Sequence, residues 1–215
     1  MRKLSKRINA AMGVAFLAAA GGAAAGISGT GTGADAAVNQ ATFHMVRSTA
    51  AVGANCLNGA DAKVTIQSQG PVEVMKVSAD HLPKNTDFDF FVIQVPDAKF
   101  GISWYQGDLE SNGAGQANGT FIGRFSIETF AVAPGVAPAP QVFNSQPFPD
   151  AAQNPAFNPV QMYHLGLWFN SPRDAATAGC GATVTPFNGE HNAGVQALST
   201  RNFPAQNGPL HQIQP

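Results

Sequence analysis

Short runs rich in Val, Ile and Phe recur between clusters of Gly, Pro and Asn, and this punctuation constrains the fold more than any other feature of the chain. Such runs are too short for a buried helix and suited to strands. The spacing predicts strands over residues 41–48, over 63–68 with Val64 and Ile66 inward, and over 72–79. In the third of these the alternation slips between Val74 and Met75, which predicts a β-bulge. Residues 87–95 are apolar on both faces, the pattern of a central strand. Residues 100–106 and 120–130 flank a turn-rich stretch and read as a long hairpin. The run 161–169 places Tyr163, Leu165, Leu167 and Phe169 on one face, with His164 and Trp168 on the other. A short strand at 194–199 closes the series.

One helix is signalled. Ser171 supplies a capping hydroxyl, Pro172 suits the first helical position, Asp174 lies in the first turn, and Gly179 can end the helix in the left-handed conformation. Residues 131–159 contain seven prolines, enough to exclude regular strand or helix. That stretch is expected to be a long loop ordered at its ends. The expected fold class is all-β, an antiparallel β-sandwich with one short helix and a long Pro-rich loop, forming a single domain over 37–215.

Ahead of that domain, Arg2, Lys3, Lys6 and Arg7 precede an Ala/Gly-rich apolar stretch that ends in Ala34-Asp35-Ala36. Basic start, apolar middle and small-residue exit predict a signal peptide over 1–36 and a secreted, extracellular protein. Four glycines dilute the stretch, which argues against a membrane span. This segment carries four of the 12 Lys+Arg and one of the 13 Asp+Glu, so the remainder has 8 basic and 12 acidic residues. A net charge of −4 gives no electrostatic footprint for nucleic acid, nor a basic segment to hold the chain on anionic lipid. Asn and Gln after residue 36 number 28, more than the charged residues, so solubility rests on neutral polar groups. Cys56 and Cys180 are the two cysteines; in an oxidising compartment, with no C-x-x-C partner, they are expected to form a disulfide.

The stretch His81-Leu82-Pro83-Lys84-Asn85-Thr86-Asp87-Phe88 resembles the corner before the penultimate strand of fibronectin type III and related immunoglobulin-like domains. The resemblance implies an immunoglobulin-like sandwich. Phe88 stands where that pattern has Tyr, so the hydroxyl that bonds back to the backbone is absent. Phe100–Gln106, His164–Pro172 and Thr185–His191 also resemble segments of secreted actinobacterial-type β-sandwich proteins. That likeness implies export and a β fold, and transfers no catalytic residue.

Several constellations bear on function. Asp108, Glu110 and Asn112 copy the first half of a calcium loop, but the twelfth position is Gly119 rather than a bidentate acid. His81, His164 and His191 lack the close pairing of a zinc site. Glu190 and His191 beside Gly189 form a candidate acid/base pair. No G-x-S-x-G elbow or phosphate-binding glycine motif occurs in the part after residue 36, and no motif requires a cofactor. Aromatic residues remain: Trp104 and Trp168, with His164 beside the latter, offer a surface on which sugar rings stack while amides bond hydroxyls. Two functions follow as expectations. One is a non-enzymatic extracellular or cell-envelope module binding a glycan or protein; the other is a hydrolase or metalloenzyme built on Glu190 and His191.

Overall fold

Eight strands follow one another in a single hydrogen-bonded order in the computed structural model, which describes residues 39–97, 102–127, 129–130, 160–185 and 192–213. The predicted signal segment, residues 131–159, and Glu190 and His191 lie outside the described residues. The elements are β1 (Gln40–Arg47), α1 (Thr49–Gly53), β2 (Asp61–Ser68), β3 (Glu73–Asp80), β4 (Asp87–Ile93), β5 (Ser103–Glu110) and β6 (Ala117–Gly123). After them come β7 (Thr129–Phe130), β8 (Val160–Gln161), β9 (His164–Phe169), α2 (Pro172–Thr177), β10 (Gln196–Ser199) and a 3-10 turn, Pro209–Gln212. Every strand pairing is antiparallel.

The all-β class holds, but two separate sheets do not describe the molecule. The order β5-β4-β9-β10-β1-β2-β3-β6 is one curled sheet, barrel-like, whose terminal strands β5 and β6 are consecutive in the chain. β1 makes the corner: Gln40–Met45 pair with β2, whereas Val46 and Arg47 pair with β10. The expected long hairpin is therefore corrected. β5 pairs with β4 and β6 with β3, since each strand gains more by completing a ladder over the core than by pairing across its own turn. The curl still brings their side chains together. Phe121 of β6 stacks on Phe90 of β4, with ring centroids 5.1 Å apart, and its ring edge lies 2.9 Å from where a Cβ at Gly107 of β5 would stand. Gly107 is thus required by close approach.

Alternation holds in β3 without the expected bulge, because Glu73, Met75, Val77 and Ala79 all face inward and the register with β2 and β6 is continuous. The apparent slip came from treating Glu73 as outward. Its buried carboxylate accepts from Ser126 N at 2.9 Å and from the Ser126 hydroxyl, which satisfies it where water is excluded. Register shifts fall instead between Phe90 and Phe91, opposite Tyr105 and Gly107, leaving Gln106 as the extra residue of β5, and between Gln196 and Leu198 of β10.

Among the described residues there are two α-helices where the sequence signals one, and they end alike. Ser171 caps α2 by accepting from Asp174 N at 3.1 Å, as expected; Ser48 caps α1 by accepting from Ala51 N at 3.0 Å. At the other end Asn55 (φ 52°) and Gly179 (φ 75°) turn left-handed, and Cys56 N and Cys180 N reach back to Ala51 O and Ala175 O. These are Schellman closures with a cysteine in the same position of each. The two cysteines meet as a disulfide, Cα–Cα 5.3 Å, across a sequence separation of 124. The expected strand 161–169 divides into β8 and β9, and β8 pairs with β7, so the flanks of the Pro-rich stretch are ordered side by side. At the corner that resembles fibronectin type III, the Ser111 hydroxyl donates to Pro83 O and accepts from Thr86 N, doing what the missing Tyr hydroxyl would do.

Candidate functional site

β4 and β9 pair in full register, with Phe88, Phe90 and Val92 opposite Phe169, Leu167 and Leu165 on the inner face. The outer face of the same strands is also apolar: Phe91, Ile93, Trp168 and Ala193 form a second buried cluster. Trp168 is 5% exposed and His164 fully buried, so the structure does not offer either to solvent as a ring platform. The reason lies in Gly166. A Cβ there would stand 2.2 Å from the Trp168 ring, so its absence lets the indole lie across β9 and pack edge-on to Phe91, centroids 5.4 Å apart.

His164 is a structural histidine. Its Nε2 faces the Pro204 carbonyl at 3.1 Å, which only accepts, so Nε2 carries the proton and Nδ1 accepts from the Thr200 hydroxyl at 2.8 Å. Burial pushes its pKa below the ordinary histidine value, against smaller opposing contributions from backbone hydrogen bonds and Asp97. The neutral ring pins residues 200–204 to the start of β9.

At the β5 margin of the same half, the chain does present aromatic surface. Trp104 and Tyr105 of β5 are 51% and 44% exposed. They point to opposite faces of the strand, Tyr105 pairing with Phe91 of the outer face and Trp104 with Val92 of the inner, because the bulge at Gln106 falls only after them. Tyr105 rests edge-on against Phe91, centroids 5.6 Å apart, and its hydroxyl donates to Asp108 Oδ1 at 2.6 Å. Burial, that hydrogen bond, and the charges of Asp108 and Asp89 all raise the Tyr105 pKa, so the phenol stays a neutral donor. Tyr105 was not singled out from the sequence. Its signal was Gly107, a glycine inside a strand pattern, which marks a bulge.

The remaining candidates separate. Asp108 and Glu110 stand exposed on β5, whereas Asn112 lies in the following turn and spends its Oδ1 on Ala114 N (2.8 Å) and Gln116 N (3.1 Å). The calcium-like spelling is thus a strand end followed by an Asx turn. His81 is exposed at the corner after β3, with φ 58°. Glu190 and His191 lie outside the described residues, in a segment whose ends are joined by a bridge between Thr185 and Ala193. Among the described residues no group of three or more His, Cys, Asp or Glu is placed to hold a metal ion, and no helix is long and apolar enough to cross a membrane. Comparison of the chain with protein-family models, curated proteins and solved structures finds no match.

Proposed function

We propose that this is a secreted, non-enzymatic binding module that engages a glycan at the cell surface or in the extracellular medium through Trp104 and Tyr105. The observation that carries this reading is the pair of half-exposed rings at consecutive positions of β5, one on each face of this end strand, with Tyr105 braced by Phe91. Rings presented by a strand lose little conformational entropy on binding, and each offers an apolar face with a polar edge. Gln106 and Asp108 flank them with hydrogen-bonding groups for sugar hydroxyls. Export is supported by the basic and apolar N-terminus and by the Cys56–Cys180 bond, since such bonds persist in oxidising compartments.

The test is binding of the secreted protein to a panel of insoluble and soluble neutral polysaccharides. Trp104→Ala and Tyr105→Ala are expected to weaken binding by about 1 kcal/mol or more each, as for a contact hot spot. Glu190→Gln is expected to leave it unchanged. Polysaccharide cleavage that disappears on Glu190→Gln and survives Trp104→Ala would replace the binding module with the enzyme.

A further inference from the structure

Tyr105, the outer ring of the β5 site, sits among groups that only accept. Its one hydroxyl proton goes to Asp108 Oδ1 at 2.6 Å, so toward a ligand the phenol oxygen can only accept. Asp108 Oδ2 and the exposed Glu110 carboxylate can only accept as well. The bulge residue Gln106 adds an amide that both donates and accepts. Across the ladder the sign is the same: Asp87 stands opposite Glu110 and Asp89 opposite Asp108, with Phe91 opposite Tyr105 beyond the bulge. Like charges directly opposite disfavour the sheet, and a cation brought to them relieves that cost. β4 and β5 hold no Lys, Arg or His. Lys84 at the preceding corner and Arg173 of α2 are exposed, yet neither is ion-paired with Asp87, Asp108 or Glu110. Even with both counted, the acids outnumber the cations. The half-exposed Tyr105 ring adds an aromatic face, which itself attracts cations.

We propose that the β5 site prefers a glycan of amino sugars with free, protonated amines over the same glycan in N-acetylated form, an inference that rests on the glycan reading and names its substrate class. The ligand that fits must donate hydrogen bonds, carry positive charge and lay a flat apolar face on a ring. A protonated amino sugar does all three, its ammonium meeting Tyr105, Asp108 and Glu110 and its pyranose face meeting the ring. A metal ion does not fit, since among the described residues no three His, Cys, Asp or Glu are placed to hold one. A basic peptide meets the charge, but its lysine side chains lose rotamer freedom on docking, whereas an amino sugar carries its ammonium on a rigid ring.

The experiment is titration of the full chain with glucosamine and N-acetylglucosamine oligosaccharides of equal length, at mildly acid pH where the free amine is protonated. The glucosamine form is expected to bind about tenfold tighter, and added salt to narrow the gap as exposed charges are screened. Asp108→Asn combined with Glu110→Gln should abolish the preference while binding of the N-acetylated form persists, because an amide at 108 still accepts from Tyr105. Asp80→Asn, on the other half of the sheet, should leave the preference unchanged. The melting temperature of each variant, expected not to fall, establishes that the fold is intact. Equal affinity for the two forms, or a preference that survives in the double variant, would overturn the proposal and leave the glycan reading standing. An oligolysine of matched charge that binds as tightly as the glucosamine form would overturn it in favour of a basic peptide. Binding of neither sugar would remove the glycan reading and the proposal with it.

Discussion

The two halves of the curled sheet solve the same problem differently. In β2 and β3 every second residue is buried and the others reach water, as an antiparallel sheet with one wet face requires. In β4 all residues after Asp87 are buried, and in β9 all six are. The second half therefore has core on both sides, with Trp168, Phe91, Ile93 and Ala193 making the outer layer. Apolar continuity in a strand thus signals a covering layer. The half with one wet face keeps its outer residues in contact with water, while in the other half exposure begins only at the β5 margin.

The sharpest way to break this comparison is truncation on the outer face of each half. Trp168→Ala is expected to cost about 3–5 kcal/mol in urea unfolding, the range for removing a buried large aromatic. Equal effects of Trp168→Ala and Ile122→Ala, a change on the wet face where Ile122 is 67% exposed, would abolish the distinction. Next in size is the disulfide, which ties α1 at the end of β1 to α2 beyond β9 and so joins the halves. Its reduction is expected to cost about 2–5 kcal/mol, measured as a fall in the denaturant midpoint, and an unchanged midpoint would mean that the sheet alone holds the halves together.

A smaller effect depends on pH. The folded pKa of His164 lies below the value of about 6.5 for an unfolded histidine, so the unfolded chain binds the extra proton first. Stability from the neutral ring is then complete above about pH 7 and declines as pH falls through 6.5 towards the folded pKa. His164→Gln, whose amide can accept from Thr200 and donate to Pro204 O, should flatten that decline between about pH 7 and 5. Smallest of all, Ile122→Thr should change stability by less than about 0.5 kcal/mol, and a larger loss would mean that the wet face is covered.

Legibility in the sequence followed the range of the interactions. Ser171-Pro172-Arg173-Asp174 announced α2 because cap, proline and acid act within one turn. The parallel corner at Ser48 passed as a strand end: α1 has neither proline nor acid, and its closure depends on Asn55 rather than glycine. Glu73 misled the alternation of β3 because its partner, Ser126, lies 53 residues away. Trp168 was placed on the correct side of β9, but its burial there among Phe91, Ile93 and Ala193 rests on residues distant from it in the sequence. Of the three aromatic candidates read from the sequence, Trp104 stays exposed while Trp168 and His164 are buried, and Tyr105 joins it as a second exposed ring.

By itself, the sequence determined the strand-forming runs, the period of two within them, α2 with its cap, and which cysteines were available to pair. These rest on backbone sterics and on nearest neighbours, which travel with the chain. Only the tertiary structure decided that β5 and β6 are neighbours of β4 and β3 rather than of each other, and which apolar faces are covered. Those outcomes depend on burial summed over residues far apart in sequence, and on a curl that Gly107 permits only when Phe121 arrives from the opposite end of the sheet.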